Sequence, residues 1–301
     1  MPDGHRLPRE NAYFSSPDRT GRVEMMGPQV LAEGALNGQV AVVTGGGTNL
    51  GLAAAQELAA CGAAVVIAGR REEVLAQAVT RIGGDSSFVV ADIREDSGAQ
   101  AIVTSALERH GRLDLLLNNA GGQFWAPAEG ISTNGFAAVR RLNVEGSLRM
   151  CETAWELAMR IQGSGTIINT TVSPHTGMPG MAHTGAARAA VESLTKDLAS
   201  QWSSDGVAVV ALALGRLATE SLKKYPEPIW RTAQQTVPLQ RLGSMADYGS
   251  LVTLLAGPLG RGLSGTVIDL DGGLANWHGV WPPDETGHED GLVPTEQRPA
   301  G

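Results

Sequence analysis

Seven short runs rich in Val, Ile, Leu and Ala recur along this chain, separated by helix-length amphipathic segments: Val40–Val43, Ala64–Ala68, Phe88–Ala91, Leu113–Leu117, Thr166–Asn169, Val207–Leu212 and Thr266–Leu270. Strands that alternate with helical crossovers imply a doubly wound α/β fold, a seven-stranded parallel sheet with helices on both faces. Near-continuous apolar strands such as Ala64-Val-Val-Ile-Ala68 agree with a sheet covered on both sides.

A chain of 301 residues, 43% of them hydrophobic, can bury one large core. The expected organisation is one domain over residues 36–273, an extended arm over 1–35 and a tail over 274–301, both of which lack apolar periodicity. A net charge of -8 argues against a nucleic-acid surface. Cys61 and Cys151 sit in apolar helical patterns without metal spacing and read as reduced core residues. His278 and His288 stand among Asp284, Glu285, Glu289 and Asp290, but the spacing is irregular and no metal site is expected. No run is long enough for a signal peptide or a membrane span, and the terminal Arg-Pro-Ala-Gly301 is not a peroxisomal address, so a cytoplasmic location is expected. Trp277 and Trp281 in the polar tail read as anchors on a neighbouring subunit.

The first strand runs into Thr44-Gly-Gly-Gly-Thr-Asn-Leu-Gly51 and then into a helix. Backbone amides at Gly45, Gly47, Thr48, Asn49, Leu50 and Gly51 can point at a pyrophosphate, and the positive end of the helix dipole favours negative charge there. This strand, turn and helix make the doubly wound sheet Rossmann-like. Asn49 stands where glycine is common, and asparagine tolerates left-handed backbone angles. After the second strand the chain reads Ala68-Gly-Arg70-Arg71. With no carboxylate there for ribose hydroxyls, the arginines suit the 2′-phosphate of NADP(H), or else form a solvated pair beside Glu72 and Glu73. Asp92 and Ile93 follow the third strand, beside the expected adenine. Asn119, Ala120 and Gly121 end the fourth, where small residues let a ribose lie against backbone.

With that turn, the Asn118-Asn-Ala-Gly121 run, Asn143 in Leu142-Asn-Val-Glu-Gly146 and the closing Asp269-Leu-Asp-Gly-Gly273, the chain resembles the short-chain dehydrogenase/reductases from about Leu36 to Gly273. Its words Asn118-Asn-Ala-Gly-Gly-Gln-Phe124, Pro127-Ala-Glu129 and His183-Thr-Gly-Ala-Ala-Arg188 are most similar to the peroxisomal trans-2-enoyl-CoA reductase branch and its bacterial relatives, with a more distant likeness to 2,4-dienoyl-CoA reductases. The resemblance places Thr184 where the family has its catalytic tyrosine and Arg188 where it has the lysine that holds the nicotinamide ribose. It places the carbonyl-orienting serine at Val172 or Ser173, of which Ser173 is preferred. Asn143 supports a water chain in the family, and as a helix-interior residue it also has the option of bonding its own backbone. Leu217 and Thr219, in Leu214-Gly-Arg-Leu-Ala-Thr219, would meet the carboxamide and a phosphate. The two long helical stretches, 134–160 and 182–203, are the family's usual subunit interface, so a homo-oligomer, dimer or tetramer, is implied.

An aliphatic hydroxyl is a far poorer acid than a phenol, and the other tyrosines, Tyr13, Tyr225 and Tyr248, lie far from this segment in sequence, so none is expected to replace it. Ketone reduction is therefore disfavoured. Reduction of an α,β-unsaturated thioester needs that acid less, because charge develops on the thioester oxygen, where hydrogen-bond donors suffice. Ser173, Thr184 and backbone amides would polarise the carbonyl, and water or His175 would supply the proton; a solvent-facing or backbone-bonded ring is the plainer reading of His175, as of His183. Gln123, Phe124, Trp125, Met178, Met181 and Trp230 would wall an apolar pocket for a small-molecule substrate. Lys223, Lys224 and Arg231 could meet coenzyme A phosphates, although solvated surface charge explains them as well. Two further readings stay open: a non-redox catalyst (lyase, isomerase or cyclase of specialised metabolism) and a catalytically silent NADP-binding protein.

Overall fold

Residues 30–173 and 177–277 are described by the computed structural model of the chain. Its seven strands are β1 (Val40–Thr44), β2 (Ala64–Gly69), β3 (Ser86–Val90), β4 (Leu115–Asn118), β5 (Gly165–Val172), β6 (Val207–Leu214) and β7 (Val267–Leu270). They form one sheet in the order β3-β2-β1-β4-β5-β6-β7, and every pairing is parallel. The first three strands step outward in one direction and β4 then returns to the other side of β1. That reversal opens a crevice beyond the carboxyl ends of β1 and β4.

Because side chains alternate across a strand, each strand feeds two cores. Ala41, Val43, Val65, Ile67, Leu115 and Leu117 face one side, where Leu52 and Leu58 of α1 (Asn49–Ala60) and Leu75 and Ile82 of α2 (Glu72–Ile82) cover them. Val40, Val42, Val66 and Leu116 face the other, under Ile102 and Val103 of α3 (Asp96–His110). Met150 and Met159 of α4, residues 133–162, and Trp202 of α5 (Ala182–Trp202) complete that layer. A short helix, α6 (Glu227–Thr232), precedes α7 (Met245–Ala256), which packs Tyr248, Val252 and Leu255 on the first face.

The α4 run is helical throughout but widens into π-helix at Arg141–Glu145 and again at Trp155–Met159. Asn143 lies in the first of these. The two boundary segments differ from the expected arm and tail. Residues 30–35 fold back in turns, with Ala35 N–H bonded to Ala32 O, Leu36 N–H to Cys61 O, and Leu31 packed on the core. At the other end a 3-10 turn over Leu274–Asn276 buries Leu274. In each case an apolar side chain, Leu31 or Leu274, finds a partner on the domain that periodicity alone does not reveal. No helix among the described residues is long and apolar enough to cross a membrane.

Candidate active site

The turn after β1 is held from below by β4. Thr44 Oγ1 donates to Leu117 O at 3.2 Å and accepts from the N–H groups of Asn119 and Ala120 at 3.1 and 3.0 Å. Asn119 Nδ2 returns bonds to Thr44 O at 3.0 Å and Gly45 O at 3.3 Å. Gly45 (φ 66°) and Asn49 (φ 46°) both take left-handed angles, the second as its asparagine identity allows. The first turn of α1 carries no acidic residue, and the Thr48 side chain makes no cap bond, so the leading N–H groups stay open toward the crevice.

That crevice is a cavity of about 1080 Å³. Its wall brings together the whole expected nucleotide set from separate loops: Gly45, Gly47, Thr48, Asn49, Leu50 and Gly51; Arg70 and Arg71; Asp92 and Ile93; Asn119, Ala120 and Gly121; Arg188; Leu217 and Thr219. Arg70 and Arg71 are exposed at its edge. The Asp92 carboxylate is gripped by Arg94, Nε lying 3.0 Å from each oxygen, and this pairing holds Asp92 down to about 2. Arg94 was not among the expected site residues.

Of the six expected pocket residues, Gln123, Phe124, Trp125, Met178 and Met181 line the same cavity. Trp230 does not: α6 presents Ile229 instead and turns the indole beneath the Arg231 guanidinium, 5.5 Å from the ring centroid. Arg231 also pairs with Glu227 at 2.6 Å, in keeping with surface charge.

The expected catalytic group divides. Arg188 lines the cavity at 8% exposure, with Nη1 donating to Thr170 O at 2.6 Å and Nε lacking a partner among the described residues. Burial pushes its guanidinium down to about 10, which leaves it charged at neutral pH. Its Nη2 lies so close to Gly121 that a Cβ there would stand 2.4 Å away. Asn143 is buried off the wall and clamps the neighbouring Gly122, accepting from its N–H at 3.2 Å and donating to its carbonyl at 2.8 Å. Nδ2 also reaches Val139 O at 2.7 Å, one turn back along α4, so Asn143 bonds its own helix as well as the floor.

Two of the expected catalytic hydroxyls need correction. Thr184 is fully buried and off the cavity wall, and its Oγ1 has no hydrogen-bond partner among the described residues. The α5 helix points this position into the interior, so Thr184 cannot polarise a substrate in this arrangement. Ser173 does line the cavity, but its single hydroxyl proton goes to Asp271 Oδ2 at 2.7 Å. Asp271 also accepts from Gly273 and Ala275 N–H at 2.8 and 2.6 Å. Burial raises its pKa, but these bonds outweigh that and keep it ionised. Ser173 so held offers a substrate only lone pairs.

Tyr225 was not among the expected site residues. It lines the cavity, accepts from Gln123 Nε2 and stands edge-on to Trp125, with centroids 6.4 Å apart. The sequence signal was its place in the segment after β6, which covers the pocket. Tyr248 lies deeper, its hydroxyl 2.9 Å from Thr170 Oγ1. His183 is buried against the Phe124 ring at 4.2 Å, and burial lowers its pKa, so it is a neutral packing residue. Arg216 and the tail residues Leu274 and Trp277 complete the wall, none of them foreseen as site residues. His175, His278, Trp281 and His288 lie outside the described residues. No group of three or more His, Cys, Asp or Glu that could hold a metal occurs among the described residues.

Comparison with known proteins agrees with this geometry. The family model for enoyl-(acyl carrier protein) reductase matches residues 45–275. A peroxisomal 2,4-dienoyl-CoA reductase of Arabidopsis thaliana is 32% identical over 253 residues, covering 79% of this chain and 85% of its own. A probable 2,4-dienoyl-CoA reductase of Bacillus subtilis is 32% identical over 250 residues, covering 80% and 97%. Among solved structures, a citronellol catabolism dehydrogenase of Pseudomonas aeruginosa is 35% identical with a TM-score of 0.74, covering 82% of this chain and 99% of that one. The glycine turn, the β1–β4 crevice and these matches together place the chain in the enoyl-(acyl carrier protein) reductase family of the short-chain dehydrogenase/reductases, oxidoreductases that bind a nicotinamide dinucleotide.

Proposed function

We propose that this chain is an NADPH-dependent reductase of an activated C=C bond, with an enoyl-thioester-like substrate. The observation that carries the reading is a cavity lined by every residue expected around a dinucleotide, to whose wall α5 contributes only the Arg188 cation. Thr184 and Arg188 would stand in place of the family's tyrosine and lysine. The names of the Arabidopsis and Bacillus relatives, both 2,4-dienoyl-CoA reductases, support the substrate class.

Bound here, the reduced nicotinamide would supply a hydride. The residues of the chain would do the rest: the Gly45–Gly51 turn receives the pyrophosphate, Arg188 sets positive charge beside the reacting end, and Gln123, Phe124, Trp125, Met178 and Met181 exclude water from an apolar acyl chain. Neutral His183, buried behind Phe124 and off the cavity wall, takes no part in proton transfer. Homo-oligomerisation through α4 and α5, as a dimer or tetramer, belongs to the same proposal.

The test is NADPH oxidation with trans-2-enoyl- and 2,4-dienoyl-CoA, compared with a saturated 3-ketone. Turnover of the unsaturated thioesters and little or none of the ketone is expected, and failure with every unsaturated thioester sinks the reading. Arg70 and Arg71 provide a separate test of cofactor choice. Two charge-assisted bonds of about 1.5 kcal/mol each correspond to roughly 100-fold in affinity. Arg70→Ser with Arg71→Ser should raise the Kd for NADPH by about that factor and leave NADH within about twofold. Equal losses for both dinucleotides would refute the 2′-phosphate role.

A further inference from the structure

We infer that Tyr225, carried on the segment after β6, is the proton donor of this site and that Gln123 holds its hydroxyl in place. The inference rests on the reading of the site as a C=C reductase. Four observations carry it. Tyr225 is on the wall of the cavity that also holds Gly121, Gly122 and Arg188. Its hydroxyl accepts from Gln123 Nε2, and Gln123 follows directly on Gly122, which Asn143 clamps. Its ring is braced edge-on by Trp125. The two hydroxyls on or near α5 and β5 that the sequence offered are both disabled as donors, Thr184 by its burial off the wall and Ser173 by its bond to Asp271.

Accepting from Gln123 leaves the phenol's own proton free to be given away. Its environment suits that task. Burial raises Tyr225 above the ordinary tyrosine value, so it is protonated at neutral pH, while the Arg188 and Arg216 guanidiniums pull in the opposite direction and would steady the phenolate once formed. The balance is simple. Hydride brings an electron pair to Cβ, and the C=C π pair moves toward the thioester oxygen as an enolate. The Tyr225 Oη–H bond then breaks, the proton goes to Cα, and the electron pair stays on Oη until water reprotonates it. The dinucleotide gives up two electrons and the substrate gains them.

The experiment has two arms. In the first, Tyr225→Phe is assayed for enoyl-thioester reduction with NADPH across pH. Turnover should fall at least about 100-fold, nucleotide Kd should stay within about twofold, and the loss of activity at high pH expected of the wild type as Tyr225 ionises should vanish. Gln123→Leu, which frees the hydroxyl and changes one wall residue, should lower turnover less and keep a high-pH limb, moved to higher pH. Tyr225→Phe retaining more than about a tenth of wild-type turnover, with the limb intact, overturns the inference. In the second arm, ultraviolet difference titration of the full chain follows the Tyr225 phenolate without any substrate, assigned by comparison with Tyr225→Phe. Gln123→Leu, which removes the hydrogen bond that lowers the phenol's pKa, should move that titration to higher pH, and no movement would show that amide and phenol do not meet as assigned. Absence of wild-type turnover on all unsaturated thioesters would strike the functional reading alone, and the titration would still decide whether Tyr225 stands where it is assigned.

Discussion

Gly51→Ala should abolish measurable dinucleotide binding while leaving a folded chain. A Cβ at this position would stand 2.4 Å from Gly45 O and 2.6 Å from Asn119 Nδ2. The first is backbone of the turn itself, so relief requires the turn to move, and overpacking of this kind costs about 1–3 kcal/mol of stability. The larger effect falls on the ligand. The Gly45 carbonyl and Asn119 are part of the brace that sets where the amides point, and a phosphate site misplaced by even about 1 Å can lose two orders of magnitude. Calorimetry should therefore show a Kd for NADPH raised at least 100-fold, with the melting temperature several degrees lower. Gly262→Ala is the matched control, because a Cβ there meets nothing within 4 Å. Binding by Gly51→Ala within about threefold of wild type would mean that this turn is not the phosphate cradle.

Arg188→Met should separate activity from stability. The guanidinium is buried with one N–H unpartnered and no carboxylate paired to it among the described salt bridges, an arrangement that costs desolvation energy for a charge. Methionine of similar length removes that cost but strips Thr170 O of its donor, a loss of about 1–3 kcal/mol. The two effects nearly cancel, so chemical denaturation should place the variant within about 2 kcal/mol of wild type. Reduction of an enoyl thioester should nonetheless fall by about 100-fold or more, since a preorganised donor to developing charge is worth roughly 3–4 kcal/mol of barrier. Arg188→Lys should recover part of this, keeping the charge and losing the Thr170 bond. A variant that is destabilised and fully active would show that the cation serves the fold alone.

Sequence reading succeeded where the chemistry is local and failed where it depends on what a side chain meets. The strands were legible because two-sided burial makes Val-Val-Ile runs unmistakable, and β5 and β6 merely extend farther than expected, to Val172 and Leu214. The glycine turn between β1 and α1 was legible because glycines and a helix start are adjacent in the chain. Thr184 lies in the first turn of α5, and its spacing does not reveal that the hydroxyl points inward. Ser173 and Tyr225 failed for a different reason: their partners, Asp271 and Gln123, are 98 and 102 positions away. No local pattern records such pairs. Trp230 and Ile229 show the finest grain of the problem, since adjacent positions on α6 differ in which faces the cavity.

The turn at Leu274–Asn276 has a practical bearing on anyone handling this chain. Leu274 and Trp277 are part of the cavity wall, and the Ala275 amide helps hold the carboxylate that occupies Ser173. A change of side chain at Leu274 or Trp277 therefore reshapes the chamber directly, although both positions lie beyond the last strand of the sheet.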